Sequence, residues 1–329
     1  MSILVSSVGR RASLVDLCRE SAKGVLKDAR VVATDMTDFC PAGSRVDRLH
    51  MVPSATDPSW LGAIVAVCEL EGVDLVIPTI DPELPGFAGA RASFEDVGAS
   101  VMVSSPEVIR TCGDKKRFNI WAQGLGLPIP DQANPATVLA DPNATYPRFF
   151  KPRSGSSSLG AAIVEEFADL ELRSRKYDGV VQELLHGDEF TCDVYVDLSG
   201  QVRGVVPRQR LAVRSGEISK GVTVRDSEVI QLATETVRSL SGARGIITVQ
   251  IFRTEHGLKL IEVNARVGGG YPLSRRAGVD MLRAAVLESQ GRAVPDELFE
   301  WEEDVTMMRH DVEVFGRVAD YSALRDSHQ

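Results

Sequence analysis

The chain has 329 residues, 43% hydrophobic and 25% charged, which suits two or three globular domains with sizeable buried cores. Lys and Arg number 37 against 46 Asp and Glu, and the formal charge of -9 argues against a nucleic-acid or anionic-membrane binder. Five scattered cysteines without a CxxC exclude a disulfide framework or thiolate zinc site, and no apolar run approaches the roughly 20 residues of a membrane span.

In chain order, Ile3-Leu4-Val5 reads as a strand, followed by the polar turn Ser6–Gly9 and an amphipathic helix from Arg11 to Leu26. The basic pair Arg10-Arg11 follows the apolar run, the reverse of a signal peptide, and the expected compartment is the cytoplasm. Strands are expected at 31–35, 75–79 and 100–103, with a helix over 61–71. Apolar strands alternating with helices predict a parallel sheet covered on both faces. Its polar turns, Ser6–Gly9, Asp35–Asp38 and Thr79–Glu83, then gather at the carboxyl edge, where such sheets bind ligands.

From Gly113 the pattern changes. A helix is expected over 115–125, then strands at 148–151, 180–185, 190–197 and 202–207. Helical periodicity covers 227–240 and 273–290, and between them 248–253 and 258–264 predict a hairpin around Glu255-His256-Gly257.

Four constellations carry chemistry. Asp114-Lys115-Lys116-Arg117 puts cations at a helix start, against the helix dipole, so either an anion compensates them or they form a solvated turn. In Phe149-Phe150-Lys151-Pro152-Arg153 a lysine ends a strand and runs into the loop Ser154–Gly160. Such a loop can turn N–H groups and hydroxyls toward phosphates, or be only a loop; it is not a Walker A motif. Gln182-Glu183-Leu184-Leu185 with Glu189 could read an adenine edge and ribose hydroxyls, or be a plain strand and turn.

The fourth is Leu260-Ile261-Glu262-Val263-Asn264-Ala265-Arg266, where Glu262, Asn264 and Arg266 alternate with apolar residues and share one strand face. With a three-residue loop at 255–257, Gln250 faces Glu262 across the hairpin. Gln250, Glu262 and Asn264 offer only oxygen ligands, a set suited to Mg²⁺ that keeps waters and phosphates, and Arg266 could hold a phosphoryl group. A solvated strand face is the plainer reading. The apolar setting and the Gly268–Gly270 run favour a site.

Taken in this order, residues 113–290 resemble the ATP-grasp superfamily, in particular the ATP-binding halves of carbamoyl-phosphate synthase large subunits and stand-alone relatives such as the pyrrolysine-pathway ligase. Residues 1–105 resemble the pre-ATP-grasp domain. The resemblance implies an α/β fold: a Rossmann-like pre-ATP-grasp domain at 1–110, then a two-lobed ATP-grasp domain at 111–329 with a lid subdomain near 125–185. It implies ATP and Mg²⁺ (Mn²⁺ as a substitute) as cofactors. Lys115, Lys151, Ser154, Gly155, Ser156, Ser157 and Gly160 would serve the phosphates, Glu183 and Leu185 adenine, and Glu189 ribose. Gln250, Glu262 and Asn264 would hold the metal, and Arg266, Arg210 and Lys151 would act on the reacting groups. Many superfamily members carry an acid where this chain has Gln250; the synthase branch carries Gln.

The implied reaction joins a small, amino-acid-like carboxylate to an amine through an acylphosphate, releasing ADP and phosphate. It needs no nucleophilic side chain. Arg208, Arg210, Arg214, Lys220 and Arg225 are dense in cations and form either a substrate-carboxylate site or a basic surface loop. Gly9-Arg10-Arg11 and Asp81–Glu83 are candidates for acceptor contacts. The expected partners are the two small substrates, with no nucleic acid and no membrane, and a homodimer is compatible with the sequence. Two other classes share the same residues: a carbamoyl-phosphate synthase-like subunit or small-acid kinase, and a non-catalytic nucleotide-binding module.

Overall fold

β1 (Ser2–Val5) is buried along its whole length, as an apolar run at the centre of a sheet must be. With β2 (Arg30–Asp35), β3 (Arg48–Met51), β4 (Leu75–Ile77) and β5 (Ser100–Val101) it forms a parallel sheet in the order β3-β2-β1-β4-β5. β3 was not foreseen. Its Arg-Leu-His-Met sequence lacks an apolar run because it is an edge strand, where charged residues are tolerated and protective. The structure, a computed structural model, describes residues 1–155, 160–214 and 216–321.

The three polar turns do meet at the carboxyl edge. Gly9 N–H donates to Asp35 Oδ2 at 2.8 Å, and the Ser6 and Ser7 hydroxyls donate to Glu83 at 2.8 and 2.5 Å. Burial pushes the Glu83 carboxyl up, against the pull of those serine hydrogen bonds.

Next, β6 (Gln132–Ala133), β7 (Arg148–Pro152), β8 (Ala162–Val164) and β9 (Gly179–Glu183) form an antiparallel sheet in the order β6-β9-β7-β8. It has a small core of its own, Val138, Phe150, Val164, Leu170 and Val181.

The third sheet is built from β10 (Asp188–Val196), β11 (Val202–Arg214), β12 (Glu217–Thr223), β13 (Gly245–Thr254), β14 (Gly257–Asn264) and β15 (Thr306–Met308). The order is β14-β13-β10-β11-β12-β15, every pair antiparallel. β11 runs seven residues beyond the expected end at Pro207; Arg208 and Arg210 in this extension line the site, while its far end is exposed. The helix expected over 273–290 is two, Tyr271–Arg276 and Met281–Ser289. Gly278 at φ +127° breaks it, and the Asp280 side chain caps the second.

The parallel sheet and the six-stranded sheet share continuous cores. Leu4 and Val32 belong to the same buried cluster as Ile247 and Val249. Ser21, on the helix Ala12–Lys23, donates to Asp280 at 2.7 Å, pinning that helix to the far end of the chain. The four-stranded sheet stands apart from these cores, so a cleft remains between it and the six-stranded sheet.

Candidate functional site

The cleft holds a cavity of about 380 Å³. Its floor is one face of the six-stranded sheet, because a strand sends alternate side chains to one side. Cross-strand pairing sets Glu262 of β14 opposite Gln250 of β13, and Gln250 opposite Thr191 of β10. Thr191 in turn lies opposite Arg208 of β11. Four polar residues thus form a row across four strands.

The pairing of Gln250 with Glu262 was expected, but for a different reason. The hairpin closes with Thr254 opposite Gly257, a two-residue loop, which alone would pair Gln250 with Ile261. A bulge between Gln250 and Ile251 shifts the register by one and restores Glu262 to the face.

The amide groups on this floor are oriented by their neighbours. Gln250 Nε2 donates to Glu189 at 3.2 Å, and Asn264 Nδ2 donates to Glu262 at 3.2 Å. With both nitrogens committed to carboxylates, the carbonyl oxygens of Gln250 and Asn264 are left to accept from a ligand or bind a cation. Among the described residues no cluster of three His, Cys, Asp or Glu exists. The donor set is one carboxylate with amide oxygens, hard ligands that fit a small oxophilic cation.

From the opposite sheet, Lys151 of β7 enters the cleft, its ammonium 5.6 Å from the centre of the Phe149 ring. Burial pushes its pKa down, while the nearby Glu262 and Glu189 carboxylates oppose that. Lys115 lines the cavity and donates to Gly155 O at 3.4 Å, whereas Lys116 does not reach it. The anion expected to compensate this helix start is Asp114. As N-cap it accepts from Lys116 N and Arg117 N, and it holds Arg153 at 2.7 Å. Ser154 and Gly155 also line the cavity, while Gly160, at φ +78°, packs beside Pro152 and Tyr177. Ser156 and Ser157 lie outside the described residues.

Glu183 and Leu185 both border the cavity. The Glu183 N–H is already taken by Asp131 O, and its carboxylate by Asp131 N and Lys259. Among the described residues nothing bonds the backbone of Leu184 or Leu185, so the free edge begins one residue later than expected.

Glu189 differs most from expectation. Its carboxylate, mostly buried, is paired with Arg210 and bonded by Gln250 rather than free for ribose hydroxyls. Burial raises its pKa and the Arg210 charge opposes that. Arg210 is likewise committed, to Glu189 and to Gly216 O at 2.9 Å.

The arginine cluster does not act as one group. Arg214 pairs with Asp311, Arg225 stacks on Trp301 at 4.3 Å, and Arg208 is buried against Asp193 at 2.9 Å. Asp193 also accepts from Ser274 at 2.6 Å. Even so, atoms at the floor remain unsatisfied: Thr191 Oγ1, Arg208 Nε and Arg210 Nε are buried without a hydrogen-bond partner among the described residues. Such donors are costly unless a ligand or water meets them.

Three features escaped sequence reading. Arg266 is gripped by Asp81 from the parallel sheet. Glu217 meets Arg10 and Arg309. Gly268 and Gly270 are closely packed, since a Cβ at each would overlap Thr248 and Arg208 respectively, while at Gly269 it would meet only the end of the Glu217 side chain. No periodicity signals such contacts, which join residues far apart in sequence. The C-terminal stretch, for which no role was read in the sequence, supplies β15, Arg309 and an edge-on contact between Tyr321 and Phe39.

Residues 175–312 match the family model described as an ATP-grasp in the biosynthetic pathway with Ter operon, and residues 3–102 match the PylC-like N-terminal domain. The chain is 26% identical over 263 residues to mitochondrial pyruvate carboxylase of Mus musculus, covering 71% of this chain and 22% of that protein. It is 25% identical over 229 residues to the carbamoyl phosphate synthase large chain of Beutenbergia cavernae, covering 61% of this chain and 21% of that one. The chain thus spans about a fifth of the length of these curated relatives. Among solved structures, L-amino acid ligase from Bacillus licheniformis superposes with a TM-score of 0.67 at 18% identity, over 88% of this chain and 73% of that one.

Proposed function

The chain carries an ATP-grasp domain behind a PylC-like N-terminal domain, homologous to carbamoyl-phosphate synthase large chains, and from that premise we propose that it is an ATP- and Mg²⁺-dependent ligase joining a small carboxylate to an amine. The observation that carries this reading is the floor of the cleft. One carboxylate, two oriented amide oxygens and a half-buried lysine converge there, with no nucleophile–base pair among the described residues.

Bound Mg-ATP supplies the phosphoryl group that activates the carboxylate, after which the amine displaces phosphate. The residues then have these roles. Lys115, Lys151 and the backbone of Ser154 and Gly155 neutralise and hold the phosphates, a role we extend to Ser156, Ser157 and Gly160, which follow in the sequence. Leu185, with the Glu183 carbonyl, presents backbone to the base. Gln250, Glu262 and Asn264 would hold Mg²⁺ through their oxygens. Arg266, fixed by Asp81, faces the charge that grows during phosphoryl transfer, where a preorganised cation is most effective. Arg210 acts through Glu189, its charge opposing the rise that burial imposes on that carboxyl beside the metal set. We divide the chain at about residue 110, with 125–185 as the lid subdomain.

The test is phosphate release from Mg-ATP by the purified protein, with amino acids supplied singly and in pairs and the products identified by mass spectrometry. Release that depends on two substrates and yields an amide supports the ligase. Release with an acid alone would indicate a kinase, and binding of Mg-ADP without release a nucleotide-binding module.

A further inference from the structure

The cavity has a second end, where the turn after β1 meets the glycine run after β14. Arg11, Asp81, Glu217 and Arg266 line it. The charges there do not balance. Asp81 is held by both arms of Arg266, at 2.9 and 2.6 Å. Glu217 is shared by Arg309 at 2.9 Å and Arg10 at 3.3 Å. Four guanidinium groups therefore face two carboxylates.

Arg11 is the one without a direct contact: among the described residues its side chain makes no hydrogen bond or close ion pair, although it is partly withdrawn from solvent and the Glu217 and Asp81 charges act on it from a distance. A desolvated, unpaired cation is costly. Arg11 also occupies the N-cap of the helix Ala12–Lys23, where the dipole favours an anion and capping favours Ser or Asp. The capping position itself gives no reason for arginine here. Burial, with the charge of Arg266, pushes its pKa down to about 10 against the pull of Glu217 and Asp81, so it stays charged at neutral pH.

We propose that Arg11 is a specificity-determining residue that binds the carboxylate of the amine substrate, so that the acceptor is an amino acid rather than a simple amine. This rests on the ligase reading above. The acid that becomes phosphorylated must lie near Lys151 and the Glu262 set, whereas Arg11 enters from the parallel sheet, beyond Arg266. A guanidinium fork matches a carboxylate bidentately, and burial makes an uncharged substitute expensive.

The experiment measures phosphate release from Mg-ATP with each proteinogenic amino acid as acceptor, against the corresponding amino-acid amide, for wild type, Arg11→Lys and Arg11→Met. Mg-ADP affinity is measured in parallel by calorimetry. Wild type should use amino acids and discriminate against their amides. Arg11→Met should raise the acceptor KM roughly 10- to 100-fold, the worth of a charged hydrogen bond, with little change in kcat or in Mg-ADP affinity. Arg11→Lys should fall between, which separates a lost contact from a lost fold. Equal use of amides, an unchanged acceptor KM in Arg11→Met, or no response to any amino acid by a protein that binds Mg-ADP would each overturn the proposal while leaving the nucleotide site standing. Failure of wild type to bind Mg-ADP would overturn the ligase reading beneath it.

Discussion

Arg266 and Asp81 stand 185 residues apart in the chain and are joined by two hydrogen bonds, from Nε at 2.9 Å and from Nη2 at 2.6 Å. One belongs to the segment after β14, the other to the turn after β4. The pair is mostly buried, and it makes the parallel sheet part of the site rather than a neighbour of it.

Asp81 should accordingly behave as a positioning residue. Asp81→Asn keeps the shape but weakens the grip on the guanidinium, and Arg266→Lys removes the fork. Both should lower kcat by roughly tenfold or more while Mg-ADP affinity changes less than about twofold, since the lost interaction grows in the transition state. Steady-state kinetics with parallel calorimetry checks this. A fall in nucleotide affinity matching the fall in kcat would place the pair in the ATP site instead.

Glu262 is the carboxylate in the proposed metal set. Glu262→Gln removes its charge without changing its volume, so turnover should fall on the order of a hundredfold or more. The melting temperature should hardly move, because the side chain faces the cavity rather than the core. Wild-type phosphate release by this variant would remove Glu262 from the mechanism.

The Arg210–Glu189 pair carries a stability prediction that replaces the simple expectation of an acid-binding arginine. Breaking a buried ion pair strands its partner, so Arg210→Met should cost about 3 kcal/mol. Arg210→Met combined with Glu189→Gln should recover more than half of that loss. Denaturant titration of the two single variants and the double variant gives the coupling. Additive losses would show that the two side chains do not depend on one another.

Gly270 lies against the Arg208 guanidinium, where a Cβ would overlap it. Its backbone is ordinary right-handed helix, so the constraint is space alone. Gly270→Ala should destabilise by about 1–3 kcal/mol through overpacking. Thermal unfolding tests it, and an unchanged midpoint would mean that the Arg208–Asp193 network has room to move.

Glu71 offers a pH test away from the site. Its side chain is 3% exposed and meets Arg30, Arg48 and His50. Burial pushes the carboxyl up, but hydrogen bonds from His50 and Arg30 and the Arg48 charge outweigh it and hold it below the usual carboxylate range. A depressed folded-state pKa stabilises above the unfolded value and is lost as pH falls through the folded one. Glu71→Gln should therefore cost about 1–2 kcal/mol at neutral pH, with the deficit closing below about pH 4. A pH-independent difference would assign the loss to packing.

Sequence alone determined what repeats locally. Apolar runs such as Leu75-Val76-Ile77 gave strands, and the alternation of Glu262, Asn264 and Arg266 with Ile261, Val263 and Ala265 marked a polar strand face, because each signal needs only neighbours. Lys115, Lys151 and Gln250 were legible for the same reason, each lying on or beside a recognisable element. Tertiary structure decided which charges remain available. Arg208, Arg214 and Arg225 look alike in sequence, yet each is spent on a different partner, while Arg11 is left unpaired among the described residues. The bulge that returns Glu262 to Gln250, the reach of Asp81 to Arg266 and the crowding at Gly270 were likewise settled only on folding. The physical reason is common to all of them. Ion pairing and close packing depend on distance in space, and for residues far apart in the chain no local pattern records it.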